Sequence, residues 1–355
     1  MRKPIAVATC ALACLAAPGV AHASYDPLGG GQAKLLLDKR FASFLHRAGV
    51  KLTAGQGAKR KGRSYVLPVV GGQIDPVEGM GQAVTEGALF FKSAHRKLPL
   101  RKIRVKSTRT PLIAKVGGSQ LKLASSKQTT SKRAGFGTKL TSIRLELTPK
   151  LVTRLDKKLR PKVPFQAKQL IGTLTTNAQP QLVAIEEGTT ATLSLDPGFL
   201  AKLDQRFVSL NPIAPAQRFG AQASFPIAVG GAVAPDGTEG VLRTAGALEF
   251  LQLGAGQVFC SELWLDLGSR SDTAEVDIEP TPSFPGKIGR VGVLDYEPAA
   301  VSSDPKARTI SVAGAVLTLS AQAAATFNQA FAQGGAPPFA AGEAVGAVSF
   351  AVQGR

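Results

Sequence analysis

Apolar and polar residues alternate with a period of two along much of this chain. Lys102-Ile103-Arg104-Val105-Lys106, Ser119-Gln120-Leu121-Lys122-Leu123 and Lys139-Leu140-Thr141-Ser142-Ile143-Arg144-Leu145-Glu146-Leu147 set charged or hydroxyl side chains against aliphatic ones. Such alternation predicts half-buried strands in antiparallel sheets, one face on a core and the other in water. Four segments follow the helical period instead. Two open on an aspartate suited to N-capping, Asp38 ahead of Phe41 to Leu45 and Asp196 ahead of Phe199 to Leu203. Two more, Thr148 to Leu159 and Ser320 to Phe331, open on a Thr or Ser cap and end at Pro161 and at Gly334-Gly335.

These elements recur in one order. Asp38 to Leu45 parallels Asp196 to Leu203. Ser64-Tyr65-Val66-Leu67 matches Ser224-Phe225-Pro226-Ile227, so Ser64 aligns with Ser224, and Gly87-Ala88-Leu89-Phe90 matches Gly246-Ala247-Leu248-Glu249. Arg144-Leu145-Glu146-Leu147, Pro164-Phe165 and Leu170-Ile171-Gly172 find counterparts in Val316-Leu317-Thr318-Leu319, Pro338-Phe339 and Ala344-Val345-Gly346. The offset grows from 158 at Asp38 and Asp196 to 174 at Gly172 and Gly346, so insertions lengthen the loops of the second copy. The pattern predicts a mainly β protein of two tandem antiparallel β domains, each with two short helices, over residues 33–180 and 190–353 with a linker at 181–189.

Charge divides at the same place. Residues 24–182 carry 31 Lys and Arg against 7 Asp and Glu, whereas 183–355 carry 10 against 17. The first half is therefore strongly basic and the second mildly acidic. The first 23 residues differ again: Arg2 and Lys3, an apolar stretch from Ile5 to Ala17, and Ala21-His22-Ala23 read as a secretory signal peptide, with cleavage before Ser24. Ala11-Leu12-Ala13-Cys14 also resembles a lipoprotein box, although the usual Leu three residues before the cysteine is absent. Cleavage at Ser24 would remove Cys10 and Cys14, leaving Cys260 with no partner for a disulfide. No apolar run reaches the about 18 residues of a membrane-spanning helix. The expected destination is secreted, extracellular or associated with the cell wall.

The order of helix, Ser-aromatic strand, Gly-Gly turn, Gly-Ala-Leu-x-Phe strand, basic meander, Leu-Thr-Pro helix and closing Pro-Phe and Gly strand resembles the HtaA domain of haem-uptake proteins in actinobacteria. The resemblance covers both copies. It implies a two-layer antiparallel β fold for each domain, a haem cofactor, haem or haem-carrier proteins as partners, a tyrosine ligand near the first helix and a supporting histidine after the Gly-x-x-x-Phe strand. At the tyrosine position this chain has Phe44, and a residue near Lys202 in the second copy. At the histidine position it has Ala94, with His95 beside it, and Leu253. Imidazole suits haem iron, so His95 is the leading candidate ligand, with His46 and Tyr65 as further candidates. The alternative for both histidines, each next to an arginine, is a solvated surface.

Catalysis finds little support. The second half has no histidine, and Cys260 lies in a strand-like run with no base beside it in sequence. Glu275, Asp277 and Glu279 alternate with apolar residues, which suits a loose calcium site or, more simply, a solvated acidic face. No metal-ligand spacing appears, and the chain is read as a non-enzyme. The basic half presents Lys59, Arg60, Lys61 and Arg63 in one cluster and Arg101, Lys102, Arg104 and Lys106 in another. Without interleaved aromatics these exclude base-specific nucleic-acid reading and suit anionic cell-wall polymers. Two functions follow: a secreted HtaA-like protein that binds haem or another hydrophobic ligand, or a non-catalytic envelope protein held on polyanions by its basic half.

Overall fold

The computed structural model describes residues 25–107, 111–186, 189–254, 256–278, 287–297, 300–331 and 336–355. The signal-peptide reading, Glu279 and the Gly334-Gly335 helix stop lie outside these residues. In the first half the elements are β1 (Asp26–Leu37), α1 (Lys39–Arg47), β2 (Val50–Gly55), β3 (Lys59–Lys61), β4 (Ser64–Ile74), β5 (Gly81–Thr85) and β6 (Ala88–Ser93). They continue with β7 (Arg96–Lys106), β8 (Leu112–Val116), β9 (Ser119–Ala134), β10 (Gly137–Leu147), α2 (Pro149–Leu159) and β11 (Leu170–Pro180). The second half begins with β12 (Val183–Ala184), β13 (Thr190–Leu195), α3 (Pro197–Gln205), β14 (Val208–Ile213), β15 (Gln217–Phe219), β16 (Gln222–Pro226), β17 (Ala232–Val233) and β18 (Gly240–Arg243). It ends with β19 (Ala247–Gln252), β20 (Gly256–Asp266), β21 (Ser271–Ile278), β22 (Lys287–Glu297), β23 (Ala300–Asp304), β24 (Thr309–Leu319), α4 (Ala321–Phe331) and β25 (Ala344–Gln353). The protein is mainly β and antiparallel throughout, as the alternation predicts, with two short helices in each half.

All four helices start where a side chain can take up a free backbone N–H. Asp38 accepts from the Arg40 amide at 2.8 Å, Thr148 from Leu151 at 3.3 Å, Asp196 from Phe199 at 3.0 Å and Ser320 from Ala323 at 3.0 Å. Each helix then turns one apolar face onto its sheet: Phe41, Phe44 and Leu45 from α1, and Leu151, Leu155 and Leu159 from α2. Phe165 meets Phe44 edge-on at 5.2 Å, and Phe339 meets Phe327 edge-on at 5.4 Å in the second half. Aromatics are few, so these clusters cap otherwise aliphatic cores.

Closure distinguishes the halves. In the first sheet β7 pairs with both β5 and β8, so β7-β5-β4-β1-β11-β10-β9-β8 returns on itself as an eight-stranded barrel. The second sheet curls in the same order, but among the described residues isolated bridges, Ile227–Thr244 and Ile185–Gly354, stand where the first sheet has a continuous ladder. Hydrogen bonding also corrects one part of the sequence alignment. Leu36, two residues before the Asp38 cap, pairs with Ser64, whereas Ser194, two before Asp196, pairs with Gln222. Ser64 is therefore equivalent to Gln222 and Tyr65 to Ala223, two residues from the match read in sequence. A slip of two leaves every side chain on its own face, so hydrophobic pattern alone does not detect it. Gly172 and Gly346 do coincide: at φ 150° and 154° each lies so close to a neighbouring strand that a Cβ would strike the carbonyl of Leu36 or Ser194 at 2.0 and 2.1 Å.

The halves touch through the turn that joins β9 and β10. Phe136, buried to 3% exposure, sits in the core of the second half, and the Arg133 guanidinium donates to the Arg355 carbonyl. Beside them burial pushes the Asp26 carboxyl up to about 6 against the opposing pull of Arg133. Among the described residues no helix is long and apolar enough to cross a membrane.

Two outcomes follow from this packing. Phe136→Ala empties an aromatic site in the second core and is expected to cost about 3–5 kcal/mol in urea unfolding; a loss below about 1 kcal/mol would show that the turn is not anchored there. Asp272, on β21, is buried with Oδ1 unpartnered, and desolvation together with Asp266 and Asp295 pushes its carboxyl up to about 8. Because this pKa is raised on folding, the carboxyl costs nothing below its unfolded value of 3.8 and destabilises the fold progressively as pH rises from there to about 8. Asp272→Asn should therefore gain about 1–3 kcal/mol at pH 8 and nothing at pH 4, checked by thermal unfolding across that range.

Candidate functional site

The chemistry-bearing residues of the first half gather at two places. One is the end of the half where α1 passes into β2. Val50 pairs with Ser93, and the Gly49 amide donates to the His46 carbonyl at 3.0 Å. Ser93 in turn pairs with Arg96, which leaves Ala94 and His95 as a two-residue turn. Register therefore brings His46 and His95 to the same end, both exposed. Because residues 94 and 95 form a turn, the facing rule of a strand does not decide where His95 points. A shallow groove of about 760 Å³ runs along α1 past Lys39, Arg40, Ser43, His46 and Arg47.

Tyr65 and Phe44 occupy the interior instead. Tyr65 is buried, its hydroxyl donates to the Leu52 carbonyl at 2.8 Å, and burial holds its proton above the usual phenol range. Phe44 packs between Phe41 and Phe165. Both support the wall beneath α1 and β2 rather than opening onto the groove.

The equivalent end of the second half carries different residues. By the same pairing, Val208 with Gln252, Phe207 stands where Gly49 does and Leu253 where Ala94 does. Phe207 and Leu253 are 85% and 86% exposed. Asp204 and Gly254 hold the places of His46 and His95.

The second gathering is a cationic cleft at the other end of β6. The β7–β8 ladder is interrupted between Arg101 and Arg104, with Lys102 at φ 48°. Leu98 and Leu100 point inward before this bulge and Ile103 and Val105 after it, so Arg101 and Lys102 both point outward. Arg101 pairs across the ladder with Lys115. Together they border a cleft of about 1220 Å³ that also takes in Gln56, Val70, Glu86 and Pro99. Sequence reading missed Lys115, a lone cation in an apolar strand; the inward phase of Leu112, Ala114 and Val116, which turns Lys115 outward, is the signal that marks it.

Of the other cations singled out in the sequence, Lys59, Arg60 and Lys61 are exposed on β3, outside this cleft. Arg60 lies over the Tyr65 ring at 5.6 Å. Arg63 donates to the Leu37 carbonyl at 2.8 Å and so ties β1 to β4. Arg104 and Lys106 are half-buried at the outer edge of β7.

Nucleophilic and metal chemistry are poorly provided for in the described residues. Cys260 is buried in β20, and desolvation pushes its thiol up to about 12. No group of three His, Cys, Asp or Glu side chains converges among the described residues. Glu275 of the acidic strand faces Arg290.

No family model matches the chain, and no curated protein matches it significantly. Among solved structures it is similar to the C-terminal domain of HtaA from Corynebacterium glutamicum, at 18% identity and a TM-score of 0.38, over 48% of this chain and 98% of that one. The N-terminal domain of the same protein is similar at 16% identity and a TM-score of 0.34, again over 48% of this chain and 98% of that one.

Proposed function

We propose that this chain is a non-enzymatic, secreted binding protein of the haem-uptake type, in two tandem domains, whose first half takes haem where His46 and His95 emerge. The observation that carries this reading is the register that brings both described histidines to one end of one half. The donor set fits the group: imidazole ligates haem iron, and Lys39, Arg40 and Arg47 along the groove that His46 lines suit its carboxylates. The second half, with Asp204 and Gly254 in those places, serves as a structural copy. A second reading, retention on anionic polymers at the cell surface, is favoured by the unpaired cations around the β7 bulge.

Haemin titration of the chain from Ser24 onward, followed by visible absorbance, tests the first reading. A Soret shift is expected, and His46→Ala and His95→Ala should each weaken it by about tenfold, the loss of one ligand contact of about 1.4 kcal/mol. No shift, or an unchanged shift in the double variant, would contradict it.

A further inference from the structure

The two halves place equivalent residues around equivalent bulges, and there the chemistry is reversed. In β20 and β21 the ladder is interrupted between Ser261 and Trp264, with Glu262 at φ 48°. Glu262 thus stands for Lys102, and Trp264 for Arg104. Ser261 pairs with Glu275 as Arg101 pairs with Lys115, and Glu275 pairs with Arg290 as Lys115 pairs with Gln120. The second half neutralises this surface from within: Arg290 meets Glu262 at 3.0 Å and Glu275 at 4.0 Å, and it stacks on Trp264 at 3.9 Å. Arg243 lies over the same ring at 4.4 Å.

The first half leaves the surface open. Arg101, Lys102, Arg104 and Lys115 form no ion pair among the described residues. Two like charges directly opposite on neighbouring strands destabilise a ladder, and Arg101 and Lys115 are such a pair. The cavities at this place are also continuous. The cleft shares Pro99 and Gly117 with a groove of about 500 Å³ lined by Lys97, Arg154, Lys157 and Lys158, and shares Lys102 and Lys115 with a third hollow reaching Arg104 and Gln120. The result is a track from α2 across the β7–β8 hairpin to the outer face of the barrel, with Glu86 as the acid among its lining residues.

We infer that this track binds a linear, phosphate-rich polyanion along its length. It rests on the surface-retention reading and gives it a place. A continuous row of cations suits a chain of charges better than one small anion, since each neutralised phosphate releases counterions. Among the described residues no aromatic side chain lines the track, so it lacks the stacking platforms by which single-stranded nucleic acids are held.

The test uses end-labelled linear inorganic polyphosphate, with anisotropy read at low and moderate salt. A variant carrying the second half's residues, Lys102→Glu, Arg104→Trp, Lys115→Glu and Gln120→Arg, keeps a set that the same scaffold already folds around. It should weaken binding at least about tenfold and flatten the salt dependence. Lys132→Glu with Lys139→Glu makes the same change in net charge at a cross-strand lysine pair away from the track, and should weaken binding less than about twofold. If the four-residue variant does not fold, Lys102→Gln with Lys115→Gln replaces it, with an expected loss of about fivefold. Equal weakening by the track and control variants would overturn the track while leaving diffuse retention standing. Absence of binding by the unaltered chain would overturn both, and tighter binding of a single-stranded oligonucleotide of equal charge would overturn the ligand class.

Discussion

A long strand in each half changes phase at one residue held in the left-handed region, Lys102 in β7 and Glu262 in β20. For a residue with a side chain this conformation costs about 1–2 kcal/mol. What offsets the cost is visible in the phase of the strand. Leu98 and Leu100 face the core; continued alternation would send Lys102 and Arg104 after them, and burying two unpaired charges costs far more than the strained backbone. The extra residue instead returns Ile103 and Val105 to the core and adds the local twist that lets β7 pair with β5 on one side and β8 on the other. The two-sided pairing of β7 and the outward pair Arg101 and Lys102 are thus two results of one irregularity.

The same irregularity in the second half bears the opposite charge. Glu262 and Glu275 are matched by Arg290, and Trp264 lies between two guanidinium groups. That surface satisfies itself, whereas the cations of the first form no ion pair among the described residues. The opposite end of each half has diverged as well, with His46 and His95 in the first and exposed Phe207 and Leu253 in the second. Duplication of the scaffold has therefore left one copy with open polar chemistry and the other with a closed charged surface and an apolar tip.

Much of the scaffold is legible in the sequence, because its signals are local. Helix caps at Asp38, Thr148, Asp196 and Ser320 appear as an oxygen-bearing residue before an apolar period, and all four are made. The order of the repeat is legible for the same reason. Its register at Ser64 is not, since a shift of two residues preserves inside and outside, and only the pairing of Leu36 and Ser194 decides it. Closure of the first sheet is equally hidden, as it depends on which strands meet at the edges. The cations of β7 stand out in the sequence, but their partner Lys115 comes from another strand, and the Trp264 sandwich joins residues from β18, β20 and β22. Tyr65 illustrates the limit from the other side: its type suggests a ligand, while its place in the barrel makes it a buried donor to Leu52.

On the proposed assignment, one bulge geometry yields an anion-binding surface in the first half and a self-neutralised one in the second. Amide hydrogen exchange of the whole chain, with and without saturating polyphosphate, measures both surfaces in one sample. Slowed exchange is expected in residues 97–118, with residues 257–276 unchanged. Equal slowing in the two segments, or slowing confined to 257–276, would contradict it.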